Sequence, residues 1–75
     1  MVVKYYQSST INNNTVFAYT NKGNQYFRMR KRPTQNSRIS VEKIYKKDLP
    51  KSLIEVPVKL LDKSFVNKFN NKING

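Results

Sequence analysis

Residues 25–32 read Gln-Tyr-Phe-Arg-Met-Arg-Lys-Arg, and their alternation is the feature of the chain that points most directly to chemistry. In an extended strand, successive side chains take opposite faces. Phe27 and Met29 then share one face, with Lys31 at the end of that row. Tyr26, Arg28, Arg30 and Arg32 share the other. Apolar Phe27 and Met29 belong against a core, which turns one phenol and three guanidinium groups outward. A guanidinium pairs bidentately with phosphate and stacks on planar bases. Same-face side chains stand about 6.5–7 Å apart, near the spacing of phosphates along a single nucleic-acid strand. The chemistry this row suits is polyanion binding, with Tyr26 as a stacking platform.

Neighbouring residues extend the same surface. Lys4 and Tyr6 share one face of a first strand, Val3 and Tyr5 the other. Arg38 stands at the start of a later strand, and Lys43, Lys46 and Lys47 flank the row. Set into the groove of a duplex, Arg28 and Arg30 are placed to read base edges. A charged strand row is also what the solvated face of a two-layer domain presents, and cations on an edge strand block aggregation. The charge balance favours the functional reading, because a merely solvated face normally mixes signs.

Lys and Arg number 15 against four acidic residues, a net charge of +11. The excess is uneven. Residues 25–51 carry nine basic and two acidic residues, hence +7, while the segments on either side carry +2 each. Such a balance costs self-repulsion and selects anionic partners. Nucleic acid, either DNA or RNA, is the first expectation, bound mostly through phosphate contacts with little sequence specificity. The alternative is a small phage- or plasmid-type inhibitor that docks on an acidic protein surface, with Phe17, Tyr19 or Tyr26 as anchors. A structural subunit facing packaged nucleic acid is a third reading, and a homodimer is compatible with each.

The residue types needed for most catalysis are missing. The chain has no cysteine and no histidine, so thiol chemistry, imidazole bases and the common zinc ligand sets are excluded. Glu42, Asp48, Glu55 and Asp62 lie six or seven positions apart, amid lysines, a pattern that suits solvated ion pairs and a helix cap. Gly23 and Gly75 are the only glycines, which rules out the phosphate-loop and dinucleotide fingerprints. A binding protein without catalytic site, cofactor or metal is expected.

The elements that must position these residues follow from periodicity. With 75 residues the chain suits a single domain, 1–75. Strands are expected over 1–11, 15–20, 25–31 and 38–46. Asn12-Asn13-Asn14 and Asn21-Lys-Gly-Asn24 supply the first two turns, and Arg32-Pro33 opens a polar loop. In the fourth strand Ile39 and Val41 alternate but Ile44 falls out of phase, which calls for a bulge or a short helix capped by Ser40. The C-terminal third has two readings. Either Ile54, Val56, Val58 and Leu60 form an edge strand tolerant of Pro57, followed by a helix over 62–71 capped by Asp62, or Pro57 itself opens the helix. Both put Phe65, Val66 and Phe69 against the sheet. Residues 72–75 are expected to fray. The fold class is α+β: a small antiparallel sheet of three to five strands with one C-terminal helix packed on one face. A small barrel of the SH3-like or OB-like sort is the alternative arrangement of the strands.

Residues 1–9 lack the apolar stretch of a secretory signal, and the run Leu53–Leu61 is too short and polar to span a bilayer. A cytoplasmic location is expected. The abundance of Lys, Asn and Ile hints at an AT-rich source such as a phage, in which case the host cytoplasm is meant.

Overall fold

In the computed structural model, residues 2–8, 14–31 and 38–74 are described. They form strands β1 (Val3–Ser8), β2 (Thr15–Thr20), β3 (Gln25–Lys31), β4 (Ile39–Ile44) and β5 (Leu53–Val56), and helix α1 (Lys63–Asn74). Single 3₁₀ turns occupy Lys46–Asp48 and Val58–Leu60. The strands make one antiparallel sheet in the order β4-β3-β2-β1-β5. The first four follow one another as a meander, and β5 returns to the far edge beside β1. The sheet is open, with β4 and β5 as its edges.

The turn between β2 and β3 uses the residues that tolerate a left-handed backbone. Gly23 has φ 72° and Asn24 φ 51°, and the Asn24 amide donates to the Asn21 carbonyl at 3.3 Å, which closes the turn. The core lies between the sheet and α1. Tyr5, Val16, Ala18, Phe27 and Met29 supply the sheet side, and Leu61, Phe65 and Phe69 close it from above. Phe69 is wholly buried and meets Tyr5 and Phe27 edge-on, at centroid distances of 5.7 and 5.2 Å. Burial pushes the Tyr5 phenol above its ordinary pKa.

Asp62 decides how the helix begins. Its Oδ1 accepts the Ser64 amide at 3.0 Å and the Ser64 hydroxyl at 2.8 Å, the geometry of an N-cap. Pro57 therefore does not open the helix but precedes the 3₁₀ turn, and β5 ends at Val56 before it. Leu61 before the cap and Val66 within the first helical turns both pack on the core cluster.

Several expected boundaries change. The helix continues to Asn74, so 72–74 are helical rather than frayed. Ile73 packs against the core cluster, which anchors that last turn. The fourth strand ends at Ile44 because Tyr45 enters the 3₁₀ turn. Residues 9–11 of the expected first strand lie outside the described residues. No bulge interrupts β4, whose pairing with β3 runs unbroken from Lys31↔Ile39 to Tyr26↔Ile44. Ile44 is out of phase because it faces the side of the sheet away from the helix, where it is 8% exposed.

Candidate nucleic-acid interface

The register lays out the face opposite the helix row by row. Glu55, Tyr6, Phe17, Arg28 and Glu42 stand side by side across all five strands. Lys4, Tyr19, Tyr26 and Ile44 form the next row, and Thr15, Arg30 and Ser40 lie on the other side. Lys4, Tyr6, Tyr26, Arg28 and Arg30, expected together, thus do share one face. Arg32 lies outside the described residues. Arg38 is exposed just before β4.

This face differs from the bare basic platform that alternation alone suggests. Glu42 of β4 faces Arg28 directly, its carboxylate 2.9 Å from one Arg28 guanidinium nitrogen and 3.9 Å from Arg30. Both arginines therefore share one carboxylate. The Arg28 Nε is buried without a hydrogen bond among the described residues, while the end of the side chain stays partly exposed beside Glu42. Among the strand-paired residues of this face, Lys4, Arg28 and Arg30 against Glu42 and Glu55 leave a surplus of one positive charge. Phe17 is only 3% exposed there and cannot anchor a partner. Tyr26 leans on Tyr19, with ring centroids 4.9 Å apart, and the Tyr19 hydroxyl donates to Asn24 Oδ1 at 2.9 Å. These two phenols are partly engaged with each other.

Lys43 stands on the other side of the sheet. Its register partner is Phe27, a core residue, so Lys43 points to the helix side of edge strand β4. There it meets cations that strand periodicity alone does not reveal. Lys22, Lys43 and Lys72 line a cleft of about 250 Å³ over Phe27 and Ile73. Lys68 and Lys72 line a second, of about 490 Å³, against Ile39 and Val41. Lys68 and Lys72 lie one helical turn apart beside the Phe65–Phe69–Ile73 stripe, and that i, i+4 spacing was the signal available for placing them on one face. Lys22 donates from Nζ to the Ile73 carbonyl at 3.1 Å, serving the open C-terminal end of α1.

Lys46 and Lys47 are exposed in the 3₁₀ turn after β4. Beside them Tyr45 is 71% exposed, with the Lys47 ammonium 5.7 Å from its ring centre. The Asp48 carboxylate accepts the Tyr45 amide at 3.1 Å and fixes the start of this turn. At the opposite end of the core, Lys31 pairs with Asp62 at 2.9 Å. The Ser64 amide, the Lys31 ammonium and the Ser64 hydroxyl together hold the Asp62 carboxyl well below the usual carboxylate range.

Among the described residues, ion pairs involve only Arg28, Arg30 and Lys31 on the cationic side. No helix among them is long and apolar enough to cross a membrane, and no group of three potential metal ligands occurs. Set against protein-family models, curated proteins and solved structures, the chain matches none.

Proposed function

We propose that this protein binds nucleic acid through its phosphate backbone, with little sequence specificity and without catalysis. One observation carries the reading. Fourteen of the fifteen basic residues are described, only three of them sit in ion pairs, and the other eleven pair with no carboxylate of the described residues. Unpaired cations at this density release counterions when they meet a polyanion, and that release drives sequence-independent binding. Exposed Tyr45 and half-buried Tyr6 and Tyr26 add surfaces on which bases stack. The return of β5 to the edge beside β1 supports an inferred curl of this open sheet toward a small barrel of the SH3-like or OB-like sort. A gel-shift series with single-stranded DNA, duplex DNA and RNA at two salt concentrations tests the function. Retardation that fades at the higher salt is expected, and no retardation at low salt contradicts it.

A second reading, docking on an acidic protein, draws on the exposed apolar side chains of Ile54 on β5 and of Val58 and Leu60 in the 3₁₀ turn after it. A partner retained from lysate after nuclease treatment favours it. Loss of every partner on nuclease treatment favours nucleic acid.

A further inference from the structure

We propose that the seam between edge strand β4 and helix α1 is the track of a single-stranded nucleic acid, with Lys68, Lys72, Lys43 and Lys46 on its phosphates and Tyr45 under a base. The inference rests on the nucleic-acid reading above and moves its main surface from the sheet face to the opposite side of β4.

Three adjoining clefts make the track. Lys72 lines both the cleft against Ile39 and Val41 and the one over Phe27. Lys43 lines that second cleft and a third of about 430 Å³, which reaches Tyr26, Tyr45 and Lys46. Shared lysines thus join the clefts in the order Lys68, Lys72, Lys43, Lys46. The first two residues lie one helical turn apart, where like charges repel each other unless an anion sits between them. Lys22 spends one ammonium donor on the Ile73 carbonyl and keeps two for a ligand.

Three of the four acidic residues lie elsewhere, and only Asp48 adjoins the track, at its Tyr45 end. Glu42 faces the other side of the sheet, Glu55 sits on the opposite edge strand, and Asp62 caps the far end of α1. Asp48, the nearest in sequence, binds the Tyr45 backbone amide. At about 250, 430 and 490 Å³ the clefts lie below or in the lower half of the roughly 300–1,000 Å³ range of small-molecule pockets, and shared lysines run them together into one track. A line of cations ending at an exposed aromatic ring is the arrangement that grips a flexible strand whose bases are free to stack. A duplex keeps its bases stacked on one another and leaves Tyr45 without a role.

Fluorescence anisotropy with a labelled oligo(dT) tests this on the full chain. Lys43→Gln/Lys72→Gln is expected to weaken binding at least tenfold at low salt and to flatten the log–log salt slope by about 1.4. Tyr45→Ala is expected to weaken it about tenfold with the slope unchanged. Thermal unfolding of both variants should match the parent, since all three side chains are exposed. Parent-like binding by the double variant, or tighter binding of a duplex of equal length, overturns the seam while leaving nucleic-acid binding intact. Failure of the unmutated protein to bind any oligonucleotide instead removes the underlying function.

Discussion

Glu42 stands directly across from Arg28 in the β3–β4 register, with its carboxylate 2.9 Å from the guanidinium. The same carboxylate lies 3.9 Å from Arg30. One acidic residue thus neutralises part of the row that looks most basic in the sequence. Glu42→Gln should free both arginines. Nucleic-acid affinity is expected to tighten about three- to tenfold at low salt, with the salt slope steeper by up to about 1. Stability should change by only about 0.2–1 kcal/mol, because the pair is partly exposed. Parallel binding and urea titrations check both.

Phe69 ties the helix to the sheet through edge-on contacts with Tyr5 and Phe27. Phe69→Ala is expected to cost about 3–5 kcal/mol. A domain of this length has roughly 4–11 kcal/mol in total, so the variant should lose a large share of its stability and unfold at a much lower urea concentration than the parent. Phe69→Leu should retain most of the stability. Urea unfolding followed by circular dichroism distinguishes them.

Phe17 makes a complementary test on the other face. Its burial there predicts that Phe17→Ala destabilises the fold by several kcal/mol, about 3–5 by the same measure. Any loss of binding should then track the unfolded fraction and vanish at temperatures where the variant remains folded. Loss of binding by a fully folded variant would assign Phe17 to a contact surface.

Asp62 should shape the acid limb of the stability curve. Its carboxyl titrates lower in the folded chain than in the unfolded one, so its contribution is complete above the ordinary carboxylate pKa. It is lost as the pH falls from about 4 towards the depressed folded value. Asp62→Asn keeps a capping side chain but cannot titrate. Its melting temperature should fall less steeply than the parent's over that acid range. Equal slopes would show that the Lys31 and Ser64 contacts do not stabilise the ionised form.

Local patterns carried much of this architecture. Alternation through Phe27 and Met29 fixed the core side of β3, and the Asn-Lys-Gly-Asn turn joined it to β2. Asp62 with Phe65 and Phe69 marked the helix and its buried stripe. The pairing of Arg28 with Glu42 lay beyond that reach, because fourteen residues separate them and only the register brings them together. The side taken by Lys43 was readable in principle: it alternates with Val41 and Ile39 on the core side. Ile44 obscured that phase, since it is apolar yet belongs to a second buried patch on the far face. The lysine seam required the packing of α1 on β4, which no single element encodes.

The salt dependence of oligonucleotide affinity tests the central claim most directly. A single-strand backbone binder engaging four to six phosphates should lose about 50- to 300-fold in affinity between roughly 50 and 200 mM salt, linearly on log–log axes. Affinity that holds level across that range, or no measurable complex at the low-salt end, would contradict the account.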